Sequence, residues 1–396
     1  MHPSTVESPE YTKEAKVSRR DWIVLPMLSL LTIGLIATTT ELIGKRMFST
    51  LPGGREGEDC MVNDPVTAAR GIPNCDVVEK LPEGEITHYH FNSSGYRADK
   101  DFTSKQPDTY RIVMIGTSFT IGMRVPEEKT FGALLPAYLT QRTGRKVELY
   151  NEGMPYRLPG TIAKHFDQNL KADPDLVLWA LTPPDIEPQG IVAIPNREPD
   201  PYVNRSRPVR MWYRAKGALA KKSFMAEVSD LFGRTSTAIL LNHVLYLSHS
   251  QYVRSFLMKP DDVVWYLKTE PSAQATKRLN EFSVSFRQVA EQAQAAKVPL
   301  VVVLLPNRVQ SAMVSMGTWP AGYDPYKLDD ELRPIVTSHS GIYLNMLPDV
   351  RTIASPQLGY FPVDGHPSAT GHAMIASLLA RELTSGAVPS LADAGR

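Results

Sequence analysis

From Trp22 to Thr40 the chain reads WIVLPMLSLLTIGLIATTT, nineteen residues without a charge, bounded by Asp21 and Glu41. About 20 apolar residues span the hydrocarbon core of a bilayer, so this run partitions the chain before any fold is considered. The alternatives are a buried core helix and the apolar part of a removable signal peptide. The run is long for a signal peptide, and no A-x-A cleavage pattern follows it. We read residues 22–43 as an uncleaved transmembrane signal anchor. Lys13, Lys16, Arg19 and Arg20 precede it, whereas only Lys45 and Arg46 follow closely. The positive-inside rule then leaves residues 1–21 as a cytoplasmic tail and exports the rest. The expectation is a single-pass protein of the cytoplasmic membrane with its main domain outside the cytoplasm. A mean hydropathy of −0.21 excludes a polytopic membrane protein. With 43 Lys and Arg against 42 Asp and Glu, the net charge of +1 argues against a nucleic-acid partner.

Cysteine usage agrees with export. Cys60 and Cys75 are the only two, both just beyond the span. In a Pro/Gly/Asp-rich segment they are expected to form a disulfide, a loop closure worth about 3 kcal/mol in the chain-entropy model. Two lone thiolates lack the partners that zinc requires, so no metal is expected. Residues 44–108 are polar, lack a long periodic segment and are read as a stalk with a few short strands. His88 and His90 share one face of a strand by alternation, with no third ligand near.

At Tyr110 the texture changes. Arg111–Ile115 is a short apolar run ending at Gly116, the pattern of a strand buried on both faces. Residues 131–142 have helical spacing, 147–150 are strand-like, and a helix is expected near 160–171. Buried strands are predicted again at 176–181, 300–305 and 341–344, and a closing helix at 368–384. Alternating strands and helices imply an α/β sandwich with a central parallel sheet, whose ligands bind at the C-terminal strand ends. The main domain is placed at residues 109–386, with a tail at 387–396. The stretch from about 186 to 297 is far too long for one crossover and is read as a mostly helical insert. Within it, Arg205–Lys222 holds seven basic residues and no acid, with Trp212 and Tyr213 among them. It is either a docking patch for anionic lipid or polysaccharide, or a solvated helix face.

The first strand runs into Gly116-Thr-Ser118-Phe-Thr-Ile-Gly122. A serine in a tight turn after a buried strand can present its hydroxyl beside backbone N–H groups, the ingredients of an activated nucleophile with an oxyanion site. Taken alone, it could equally cap a helix. Near the C-terminus, Asp364-Gly-His366 opens the last helix. There an imidazole can take the serine proton while a carboxylate orients the ring.

Together these motifs resemble the SGNH/GDSL hydrolases, serine esterases and acyl-transfer enzymes with a flavodoxin-like three-layer α/β fold. The resemblance is to exported, membrane-anchored bacterial members, and it rests on three stretches. They are Phe91-Asn-Ser-Ser-Gly-Tyr-Arg97, the run 111–122, and Val125-Pro-Glu-Glu-Lys-Thr-Phe131. It covers residues 90–185 and 298–386. It implies Ser118 as nucleophile, His366 as general base and Asp364 as the acid beside it, at Asp-x-His rather than the usual Asp-x-x-His spacing. It also implies Asn151-Glu-Gly153 as the second block, with the Gly153 and Ser118 N–H groups forming the oxyanion hole. Two departures stand out. Thr117 replaces the Asp that normally precedes the serine. In Leu181-Thr-Pro-Pro-Asp185, Pro184 replaces the Asn whose amide donates to the oxyanion, while Asp185 is kept in a supporting place. Losing one such donor costs about 10²–10³ in rate. Asn196, Asn204 and the Asn307-Arg308 loop are candidate replacements.

The functional expectation is an extracytoplasmic serine esterase or O-acetyl transfer enzyme acting on cell-envelope or exopolysaccharide glycans, with no cofactor. The other reading is a catalytically silent glycan-binding or assembly component that works with polysaccharide-secretion proteins. A lipid-linked ester would be an alternative substrate for the same chemistry.

Overall fold

A computed structural model describes residues 18, 20–48, 57–186 and 235–392. The basic run 205–222, Asn196 and Asn204 lie outside the described residues.

Five strands form the central sheet: β5 (Thr109–Gly116), β6 (Lys146–Asn151), β7 (Leu176–Leu181), β8 (Leu300–Leu304) and β9 (Ile342–Leu344). Four short strands precede them, β1 (Met61–Asp64), β2 (Ala68–Gly71), β3 (Asp76–Glu79) and β4 (Thr87–His90). The sheet order is β6-β5-β7-β8-β9 and every pairing is parallel. Counted within the sheet, that order is 2-1-3-4-5, the flavodoxin-like arrangement. β5, β7 and β8 are buried along their whole length, which is why they read as continuous apolar runs rather than alternating ones.

Before the sheet runs α1 (Asp21–Met47), and its apolar window is not buried at all. The sheet's helices are α2 (Ser118–Ile121), α3 (Phe131–Thr143) and α4 (Pro159–Leu170). Next come α5 (Ser236–Leu245), α6 (His249–Leu257), α7 (Asp261–Val264) and α8 (Ala273–Ala295). The chain closes with α9 (Arg308–Met316), α10 (Lys327–Ser338), α11 (Leu347–Val350) and α12 (Ala369–Glu382). Alternate strand residues face opposite layers. Val113, Val177, Trp179 and Val302 pack with Phe166 of α4, Phe282 and Phe286 of α8, and Leu332 of α10. Ile112, Met114, Leu178 and Val303 pack with Phe131 and Leu135 of α3 and with Ile375 and Leu379 of α12. The result is a three-layer α/β sandwich.

Two expected boundaries shift. The segment read as a stalk is folded onto the domain. β1–β2 and β3–β4 are antiparallel hairpins, and Cys60, Met61, Val77, Tyr89 and Phe91 share a core with Ile121, Met123 and Met154. Isolated hairpins are marginal in water, so they bury their apolar faces on a larger partner. The disulfide Cys60–Cys75 lies within this unit. At the other boundary, α8 belongs to the sandwich and not to the insert. A parallel β7-to-β8 connection needs a covering helix, and α8 supplies it.

Candidate active site

The serine lies where the strand order reverses. β5 and β7, neighbours in the sheet, carry their following loops to opposite sides, and such a switch point is the expected ligand crevice. β5 ends at Gly116 with φ +155°, and a Cβ there would lie 2.4 Å from Ala180 O and 2.1 Å from Thr120 Oγ1. Only glycine fits this crossing, so the chain turns at once and Ser118 becomes the first residue of α2. Thr117 donates its hydroxyl to Asp185 Oδ1 at 2.6 Å, while the Thr182 N–H donates to Asp185 Oδ2 at 2.7 Å. The threonine in place of Asp thus ties the serine turn to the third block. Burial pushes the Asp185 carboxyl up to about 6, against the opposing pull of these hydrogen bonds and of His366.

The Asp/His pair sits on a turn closed by Phe361 N–H donating to His366 O at 2.9 Å. Gly365 adopts φ +85°, which lets Asp364 fold back onto its near neighbour. Asp364 Oδ1 accepts from the His366 backbone N–H at 3.1 Å and lies 2.6 Å from His366 Nδ1. The shortened Asp-x-His spacing therefore still makes the pair. Burial alone would raise the Asp364 carboxyl, but the His366 contact and the Arg124 charge hold it down at about 2. With Nδ1 engaged by Asp364, His366 Nε2 has no hydrogen-bond partner among the described residues. The second histidine of this segment, His372, is different. It is buried and its Nδ1 accepts the Phe131 N–H at 3.1 Å, which commits that nitrogen to the neutral imidazole.

Ser118, His366, Thr117, Pro184 and Asp185 line one cleft of about 340 Å³ with Arg124 and Tyr156. Asp364 touches that wall through Arg124, whose Nε is 3.5 Å from Asp364 Oδ2. Asn151 and Gly153 do not line the cleft. Asn151 Oδ1 accepts the Gly153 N–H at 3.0 Å, so the structure gives this expected oxyanion donor another partner. Pro184 stands on the cleft wall and has no N–H to offer. Asn307 caps α9 and donates to the Tyr266 hydroxyl at 2.6 Å, away from the cleft lining. Arg308 contacts Pro362 O and lies over the Tyr252 ring.

Sequence reasoning missed three residues. Arg124 has φ +73°, is paired with buried Glu79 at 3.1 Å, and reaches Asp364. Its signal was an arginine between buried Met123 and Val125. Glu58, in the expected stalk, lines the cleft and accepts the Tyr156 hydroxyl at 3.0 Å. Arg97 is buried and donates to the carbonyls of Ile121, Gly122 and Val125, pinning the chain just after the serine helix.

No family model matches the chain, and no curated protein matches it. Among solved structures, it is similar to an alpha/beta hydrolase enzyme from the metagenome of Lake Arreo, Spain, at 14% identity and TM-score 0.34, covering 68% of this chain and 93% of that one. It is also similar to a catalytic mutant of an acetylxylan esterase from Geobacillus stearothermophilus, at 10% identity and TM-score 0.35, covering 69% and 94%. A lipase/acylhydrolase from Enterococcus faecalis gives 11% identity and TM-score 0.36, covering 69% and 95%. The fold rests on the sheet order and not on this likeness.

Proposed function

We propose that this chain is a membrane-anchored, extracytoplasmic serine esterase or acyl-transfer enzyme acting on O-acetyl esters of cell-envelope or exopolysaccharide glycans. The observation that carries the chemistry is the Asp364–His366 contact of 2.6 Å, with His366 on the wall of the cleft that Ser118 lines. In this reading Ser118 Oγ attacks the ester carbonyl as His366 Nε2 takes its proton, and Asp364 holds the ring and stabilises the imidazolium. Collapse of the tetrahedral intermediate breaks the C–O bond to the sugar, and His366 returns the proton to the leaving hydroxyl. Water, or a hydroxyl of a second sugar, then attacks the acyl-serine with His366 again as base, so the same residues support hydrolysis or transfer. The Ser118 N–H at the start of α2 is the oxyanion donor this reading relies on. The size of the cleft and its polar rim of Arg124, Glu58 and Tyr156 suit a glycan. The long apolar α1 and the Cys60–Cys75 bond support an anchored protein in an oxidising compartment.

A second reading is a catalytically silent glycan-binding component of polysaccharide assembly. It is favoured by Pro184 on the cleft wall and by the Gly153 N–H bonded to Asn151. Labelling of the full chain with a fluorophosphonate separates the two. The enzyme is supported by labelling that disappears in Ser118→Ala. An unlabelled, folded wild-type chain that still binds acetylated glycan would replace it with the silent reading.

A further inference from the structure

Helix α5 has the sequence STAILLNHVL, without a charged carboxylate, lysine or arginine. Leu241, Val244 and Leu245 are 45, 58 and 47% exposed, and Leu247 just beyond is 76% exposed. Single exposed apolar residues are ordinary on a protein surface, but a contiguous set is not.

The position of α5 says what covers them. The Thr237 N–H and hydroxyl both donate to Glu41 Oε2, each at 2.9 Å. Glu41 is the first charged residue after the uncharged run of α1. One turn on, a Cβ on Gly44 would lie 2.7 Å from Ser236 O, so the two helices meet closely there. Phe48 then packs against His243, with ring centroids 4.6 Å apart. Twenty-seven residues at 1.5 Å each make α1 about 40 Å long, against a hydrocarbon core of ~30 Å. Its last two turns therefore emerge at the level of the lipid headgroups, and α5 is fastened to those turns. Leu241 and Val244 follow Thr237 by four and seven residues, so they share the face that meets α1.

We propose that α5 is a second membrane contact. It lies beside α1 on the outer surface of the bilayer, with Leu241, Val244, Leu245 and Leu247 in the interfacial lipid. Lipid is the occupant because the patch continues the exposed apolar surface of the outer end of α1, where Leu42 is 64% and Met47 60% exposed. The inference rests on the reading of α1 as a membrane anchor. Its consequence reaches the active site. His243 Nε2 is 2.6 Å from Glu83 Oε1, and the Glu83 carboxylate accepts the N–H groups of Val363 and Asp364. The turn carrying Asp364 and His366 is thereby held at a set height over the lipid, facing membrane-proximal substrate.

Both cysteines are joined to each other, so one introduced thiol can be labelled alone under non-reducing conditions. Leu247→Cys, Ile33→Cys and Val284→Cys, each carrying a small fluorophore, are compared in the full chain reconstituted in phospholipid vesicles. Ile33 lies in the span, and Val284 is an exposed position on α8. The expected result is severalfold stronger quenching by headgroup-proximal spin-labelled lipid at Leu247→Cys than at Val284→Cys, with reduced quenching by aqueous iodide. Iodide access at Leu247→Cys equal to that at Val284→Cys overturns the proposal. Protection from both quenchers also overturns it, since a protein would then cover the patch. If Ile33→Cys also fails to respond to lipid quenchers, the anchor reading itself has failed. Failure at Leu247→Cys alone removes only the second contact.

Discussion

Ser118, Asp364 and His366 could be read from the sequence because each sits at a point where local chemistry is loud. One is a glycine-flanked serine after a buried strand, and the others form an acid/base pair opening the last helix. If the proposed chemistry holds, Ser118→Ala and His366→Ala should each lower ester turnover by at least about 10⁴, towards the ~10⁶ that loss of a nucleophile or its base costs in a serine triad. Steady-state hydrolysis of p-nitrophenyl acetate measures it. A more discriminating prediction concerns Pro184. Its ring offers no donor on the cleft wall, and restoring one should repay part of the 10²–10³ that a missing oxyanion donor costs. Pro184→Asn is thus expected to raise kcat by about tenfold or more with little change in KM. Unchanged turnover in a folded variant would mean that another group already fills that place. Gly153 and Arg124 were illegible for a different reason. Whether an arginine turns inward depends on partners more than twenty residues away, Glu79 and Asp364 for Arg124, and whether the Gly153 N–H is free depends on how the Asn151 side chain turns two residues before it.

At the level of elements, the strands were legible because burial on both faces removes the alternation that polar edges impose. The few short strands expected within 44–108 are the hairpins at 61–90, but four-residue half-polar strands do not tell from sequence what they pack on, which is Ile121, Met123 and Met154. The limits of the insert were hidden likewise, since α8 is amphipathic and only the sheet tells which layer it covers. This packing makes the disulfide more than a staple for a remote loop. Replacing Cys60 and Cys75 by Ala should cost about 3 kcal/mol of stability from loop closure alone, read by denaturant unfolding. It should also speed hydrogen exchange at residues 118–125, since the hairpin core holds that segment from one side and Arg97 from the other. Arg97→Met removes three carbonyl contacts at once and should loosen the same residues with the disulfide intact. Hydrogen bonds to charged groups are worth ~1.5–3 kcal/mol each, so this loss should match or exceed the first.

Over the whole molecule, buried ionisable groups give stability two opposed dependences on pH. Burial pushes Glu152, Asp329, Glu127 and Glu382 up to about 7, and Asp185 to about 6. In the unfolded chain such carboxyls titrate near 4. Between ~4 and ~7 the native state therefore binds more protons than the unfolded one, and stability present at the acid end of that window is lost as pH rises through 7. His372 acts in the opposite sense. Burial lowers it to about 3, so the unfolded chain takes up its proton first and stability is lost as pH falls from ~6.5 towards 3. Asp364, held down at about 2, adds to that acid limb below ~4. Five raised carboxyls outweigh one lowered imidazole across that window, so the melting temperature of the full chain should be highest near pH ~4, fall as pH rises to ~7 and level off above it. Glu152→Gln with Asp329→Asn tests the cause. Each replacement keeps an acceptor, for Asn169 at 2.5 Å and for the Tyr343 hydroxyl at 2.6 Å, while removing the charge. The decline between pH ~4 and ~7 should become shallower and the loss below pH ~4 should remain, followed by circular dichroism melts across the range. A decline of undiminished slope in the double variant would assign it to other groups and remove these two carboxylates from the account.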